Sequence, residues 1–149
     1  MPIRAVVYVS EAGPASADGR SVLDASKLDW LVSDAARFNR DAGVTGILLF
    51  DGYRFLQYLE GPDDGLEVAY SRVQGATSHH ELVELHRGSV GGRRLPFWPM
   101  RWLPVGSPDM SSIARGNWSG FHQRGPIETP NSTAMDRLQH FVQQHVHPV

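Results

Sequence analysis

Residues 3–9, IRAVVYV, are apolar or β-branched at all but one position and give way to a stretch of Ser, Gly, Pro and Ala that runs to Gly19. That pattern reads as a strand followed by a loop. From Ser21 the period lengthens: Leu28, Leu31, Val32 and Ala35 recur at helical spacing, Asp24 or Ser26 is available as an N-cap, and Gly43 closes the element. VTGILLF (44–50) and YRFLQYLE (53–60) flank Asp51-Gly52, a dipeptide that supplies the positive φ angles of a tight turn, so this segment predicts a hairpin. After Gly61-Pro62, a second helix is marked by Leu66, Ala69, Tyr70 and Val73, and ELVELHR (81–87) and FWPMRWLP (97–104) read as two further strands. The tail differs: a polar, Gly/Pro-containing stretch holds one short helix near Met110–Ala114, then a longer one from Ser132 to His145 with the stripe Met135, Leu138, Phe141 and Val142. There is no internal repeat.

The order βαββαββ, with two amphipathic helices, predicts an α+β fold. It is a ferredoxin-like βαββαββ sandwich with both helices on one face of a mixed five-stranded sheet and a C-terminal helical extension. The division expected is 1–104 for the sandwich and 105–149 for the extension, which packs on the free sheet face or on a partner subunit.

Several polar groups fall in apolar places. Side chains alternate along a strand, so Tyr8 and Ser10 share a face with Val6, and Gln57 shares one with Phe55 and Leu59. Asn39 follows Leu28 by eleven residues, which at about 100° per residue sets it above Leu28 on the apolar stripe. Trp98, Met100 and Trp102 share a parity, with Pro99 and Arg101 on the other. Each alone has a plain reading, a core tyrosine or an amide capping a backbone group, because buried polar groups are normally satisfied. Together they describe a cleft between the first helix and the sheet with a phenol, two amides and a hydroxyl, a composition suited to a flat heteroaromatic ligand.

Composition narrows the functions. The 149 residues make one domain of ordinary globular make-up, 41% hydrophobic and 20% charged, able to bury roughly 68–70% of its unfolded surface. A net charge of -2 argues against nucleic acid as the main ligand. The absence of cysteine removes disulfides, thiolate metal sites and thiol nucleophiles. The opening MPIRAVVYVSEAG is too short an apolar run for a signal peptide or a membrane span, so the expected location is the cytoplasm, with no membrane partner, and the Asn117 and Asn131 glycosylation patterns are inert. No P-loop, HExxH helix or GxSxG elbow occurs, and the seven histidines assemble no metal set, so no metal is expected. An acylphosphatase-like hydrolase would need an Arg after the first strand, and Ser10–Gly19 contains none. An RNA-binding module of this fold would want a basic surface.

The opening strand with Tyr8 and Ser10, Asn39 followed by GVTGILLF (43–50), FLQYLEGP around Gln57 and the WPM of Trp98–Met100 together resemble the BLUF family, sensors of blue light using FAD. The likeness runs from Ile3 to Leu103. It implies a photoreceptor rather than an enzyme, holding FAD non-covalently between its two helices within residues 1–104. Asn39 would bond the polar edge of the ring, Leu31 and Val32 would pack on it, and Ser10 would lie in the same site. Gln57 would sit between Tyr8 and the ring's N5/O4 edge, relaying an electron and a proton from Tyr8 and ending rotated or tautomerised. Arg72 would face the ribityl or phosphate part, a solvated surface arginine being the alternative. His79 matches a retained histidine, with a surface pair with His80 as the other reading. Trp98 and Met100 would carry the change outward to an unidentified downstream protein or through a homo-oligomer. Phe38, Ala76 and Ser78 depart from the usual Asn or His, Asp and Arg, which leaves FMN or riboflavin as alternatives to FAD. The competing function is a ferredoxin-like small-ligand-binding or hydrolase domain without photochemistry.

Overall fold

The central strands are buried on both faces, which is why TGILLF and FLQYLEG read as nearly continuous apolar runs. A computed structural model describes residues 3–12, 25–74, 79–95, 98–123 and 132–146. In chain order the elements are β1 (Ile3–Ala12), α1 (Ala25–Ala42), β2 (Thr45–Phe50), β3 (Arg54–Gly61), α2 (Asp63–Gln74), β4 (His79–Gly91), β5 (Trp102–Pro104), α3 (Ser107–Ala114), a 3-10 turn (Ser119–Phe121) and α4 (Ala134–Val146). The sheet order is β4-β1-β3-β2-β5, antiparallel throughout except for the parallel pair β2 and β5. This is the mixed five-stranded sheet of a ferredoxin-like α+β fold with a helical C-terminal segment.

Strand parity divides the interior into two cores. Val6, Tyr8, Phe55 and Leu59 face Leu28 of α1 and Leu66, Ala69 and Tyr70 of α2. Ala5, Val7, Leu56 and Tyr58 face the other way and meet Met110 and Ile113 of α3 and Met135, Leu138 and Val142 of α4. Burying each such large side chain contributes about 1.5–3 kcal/mol, so the tail stripe closes the second sheet face of the same chain, with Phe141 partly buried against it. A capping box starts α4: Asp136 N–H donates to Thr133 Oγ1 at 3.1 Å and Thr133 N–H donates to Asp136 Oδ2 at 2.9 Å. For α1, Ser26 lies inside the helix, so it is not the cap, and Asp24 is outside the described residues.

The structure corrects the sequence reading at the hairpin and at the last strand. The β2–β3 turn centres on Gly52-Tyr53, one residue later than Asp51-Gly52: Gly52 alone takes positive φ, at 99°, the arrangement with glycine in the first central position. Asp51 organises the turn instead, its Oδ1 accepting from Tyr53 N–H at 3.0 Å and Arg54 N–H at 2.7 Å. Burial would raise the Asp51 carboxyl, but those N–H groups and the Arg54 guanidinium hold it below its ordinary value.

The expected strand 97–104 forms only over Trp102–Pro104. Upstream, Gly46 N–H donates to Trp98 C=O and Leu48 N–H to Arg101 C=O, both at 2.9 Å. Two residues of β2 therefore oppose three of the other segment, and the extra residue bulges at Pro99-Met100. The bulge undoes the parity: Met100 and Trp102 pack in the helix-side core, whereas Trp98 packs against the opposite one.

Candidate functional site

The register of the three central strands sets the site. Gln57 on β3 is paired with Tyr8 on β1 and with Leu48 on β2, so its amide stands in mid-sheet on the face covered by α1 and α2. It is 8% exposed, and its Nε2 donates to Met100 Sδ at 3.7 Å. A thioether is a weak acceptor, so the amide is held loosely. Tyr8, 1% exposed, lies beneath the cleft rather than in its lining, its ring 5.5 Å from that of Tyr70. Burial first, and then Tyr70, pushes the Tyr8 hydroxyl well above its ordinary value, so the phenol keeps its proton at any physiological pH.

Two glycines permit these contacts. A Cβ on Gly46 would come within 2.7 Å of Leu59 Cδ2 and 3.2 Å of Met100 Cε, so glycine there leaves Met100 room to reach Gln57. A Cβ on Gly65 would lie 2.1 Å from Ala42 C=O, so glycine there lets α2 approach the end of α1.

Between the helices and the sheet is a pocket, part of it open to solvent, with a cavity volume of about 160 Å³. Leu31, Val32 and Ala35 of α1 and Ala69 and Val73 of α2 form its walls, Leu48, Phe55 and Leu59 its apolar floor, and Ser10, Asn39, Gln57 and Met100 its remaining inner lining. Asp34 and Arg72 also line it, and Arg72 Nη2 is 3.3 Å from Asp34 Oδ2. The Arg72 guanidinium stacks 4.3 Å from the centre of the Phe38 ring, which is what the phenylalanine at that position does here. Apolar walls, two amides, a hydroxyl and a half-exposed cation fit a flat heteroaromatic group with a polar tail. Among the described residues no cluster of three or more His, Cys, Asp or Glu could hold a metal ion.

Ser10, Leu31, Val32, Asn39, Gln57, Arg72 and Met100 thus come together in one pocket, with Tyr8 behind it. Trp98 does not: it faces the opposite core and carries the Arg101 guanidinium 4.6 Å above its ring. The side chain of His79 lies outside the described residues, as do Ala76 and Ser78. Asn39 makes a contact the sequence did not indicate: its Nδ2 donates to Pro99 C=O at 2.8 Å, tying α1 to the bulge that carries Met100.

Asp34 was missed, although it follows Leu31 by three positions on the same helical stripe. Glu60, 0% exposed, was also missed. It lies on the face opposite Gln57, where it accepts from Tyr58 Oη at 2.9 Å and from the N–H groups of Arg94 and Leu95 at 2.9–3.1 Å. Burial, then the Glu60 charge and hydrogen bond, push the Tyr58 hydroxyl far up. The signal in the sequence was a lone acid at strand parity with Tyr58.

Residues 3–101 match the model of the family described as BLUF, sensors of blue-light using FAD. The chain is 42% identical over 59 residues to the blue light- and temperature-regulated antirepressor BluF of Escherichia coli, a match covering 40% of this chain and 15% of that protein. The structure of BlrP1 BLUF superposes with a TM-score of 0.64 at 31% identity, covering 99% of this chain and 94% of that one. Klebsiella pneumoniae BlrP1 with FMN and cyclic diGMP superposes at 0.59 and 37% identity, covering 68% of this chain and 26% of that one. The match therefore spans less than a sixth of the curated antirepressor's length.

Proposed function

The chain belongs to the BLUF family, sensors of blue light using FAD, and we propose that in it Tyr8 and Gln57 form the photoactive relay, with Met100 and the Asn39-held bulge as its first readout. The observation that carries this reading is the position of the Gln57 amide, which is paired in register with Tyr8, opens on the pocket and is held by a sulfur at 3.7 Å. Flavin bound in the pocket would supply the absorption of blue light and, once excited, the demand for an electron. Tyr8 meets that demand from a buried phenol that still carries its proton. The amide of Gln57 gives the proton its path, the electron and proton then return to Tyr8, and the amide is left with exchanged partners, because losing a weak bond to sulfur costs little compared with losing a bond to a carbonyl. Leu31, Val32, Ala35 and Val73 exclude water from the ring, and Ser10 and Asn39 add polar contacts at its edge.

Release of the Gln57 bond alters the seat of Met100, and Asn39 passes that change into α1 through Pro99. The bulge also hydrogen-bonds β2 at Gly46, which carries the change towards the sheet edge. A downstream protein reading that edge is the proposed partner, a small bistable element biased by a local hydrogen-bond switch. No described helix is long and apolar enough to cross a membrane, and a reducing, cytoplasmic setting suits a chain without cysteine.

The test is the absorption spectrum of the purified protein before and after blue light. The expected result is a bound flavin band that shifts to the red and recovers in the dark, and Tyr8→Phe should retain flavin without the productive cycle. A protein that takes up no flavin, or a Tyr8→Phe variant with an unchanged cycle, would contradict the assignment.

A further inference from the structure

Asp34 and Arg72 line the pocket, and Arg37, outside the lining and mostly exposed, reaches the same carboxylate. Asp34 Oδ1 lies 3.3 Å from Arg37 Nη2 and Asp34 Oδ2 lies 3.3 Å from Arg72 Nη2. One carboxylate thus bridges two guanidiniums, one from its own helix and one from α2, with both of its oxygens engaged. The Arg72 fork is further fixed by the Phe38 ring beneath it. A tetrahedral phosphate would bind two such guanidiniums in the same way, since arginine pairs carboxylate and phosphate through the same donor geometry. Asp34 and Arg72 are pocket-lining residues, so a ligand whose ring lies inside and whose tail leaves by the mouth reaches this bridge.

We propose that Asp34 is a specificity-determining residue, its carboxylate occupying between Arg37 and Arg72 the place a flavin phosphate would take and so narrowing the protein's preference for FMN and FAD over riboflavin. This rests on the flavin-binding reading and deepens it. A phosphorylated flavin must displace the carboxylate from at least one arginine and then lie beside its charge, whereas riboflavin leaves the bridge intact. The side chains of Asp34, Arg72 and Arg37 are 41%, 43% and 74% exposed, so the penalty is that of a surface ion pair, a factor of about two to five in affinity, and it weakens with salt.

The experiment is a titration of the apoprotein with riboflavin, FMN and FAD, followed by flavin fluorescence at low and high salt, for the parent, Asp34→Asn and Arg37→Gln. Asp34→Asn should tighten FMN and FAD about two- to fivefold relative to riboflavin at low salt, with the gain shrinking at high salt. Arg37→Gln should loosen the phosphorylated flavins and leave riboflavin unmoved. If Asp34→Asn leaves the FAD-to-riboflavin ratio unchanged, or lowers it because Asp34 serves to aim Arg72, the proposal is overturned while flavin binding stands. A parent protein that binds none of the three, riboflavin included, would overturn the flavin reading itself.

Discussion

Two buried amides face the same pocket and differ in what holds them. Asn39 donates to a backbone carbonyl at 2.8 Å, a strong neutral bond that fixes it, whereas Gln57 donates to a thioether at 3.7 Å. The second can exchange partners at little cost, which suits it to the proposed role of switch and Asn39 to that of a strut. The sequence shows both amides as inward-facing from strand and helix period, but not which is the strut, because the Pro99 carbonyl reaches Asn39 only through a bulge that no local pattern announces. Tyr8 carries a prediction of its own. Its folded pKa is raised by burial, so this contribution to stability is complete below the ordinary tyrosine value of about 10 and is lost as pH rises above it. Urea unfolding at stepped pH should show stability falling above pH of about 10, and Tyr8→Phe should remove up to about 1.4 kcal/mol per pH unit of that fall. An identical alkaline slope in the two proteins would mean the phenol is not held neutral by the fold. Tyr58 and Tyr70 are also raised, so the comparison between variants carries the information rather than the absolute slope.

Among the elements, those with a strong period are legible in the sequence. The two helices over the sheet and the tail helices follow from apolar spacing of 3.6, and the β2–β3 hairpin from two apolar runs on either side of a turn dipeptide; the order of strands in the sheet is seen only in the structure. β5 is misread because FWPMRWLP alternates as a strand should, while Pro99 cannot donate to a ladder and the segment bulges there instead. The Glu60 network is only partly legible: strand parity sets Glu60 beside Tyr58, but its other partners include the backbone N–H groups of Arg94 and Leu95, and backbone donors leave no mark in a sequence. That network has a mechanical consequence, since Arg94 C=O in turn accepts from Gln139 Nε2 on α4. The tail is thereby fastened to the end of β3, the strand of Gln57, as well as to the sheet's apolar face. Leu138, wholly buried in that interface, is the residue to remove: Leu138→Ala should cost about 2–5 kcal/mol in urea unfolding. A change under about 0.5 kcal/mol, the range of an ordinary surface substitution, would show that the tail contributes no core.

For the whole molecule, the two sheet faces divide the work. The helix side encloses the pocket and the proposed relay; the tail side completes the core and leaves the bulge and β5 as the place where the two meet. On the proposed reading, a change at Gln57 has a short physical route, through Met100 and the Pro99 carbonyl, to the three-residue edge strand β5. The claim on which this depends is that Gln57 is the exchanging group. The direct measurement is the light-minus-dark absorption difference spectrum of Gln57→Leu beside the parent, each loaded with the same flavin. Leucine keeps most of the volume and removes both amide partners, so the expected result is a protein that binds flavin, with a reversible red shift in the parent and none in the variant. A Gln57→Leu protein that retained the full red shift would place the switch elsewhere in the pocket.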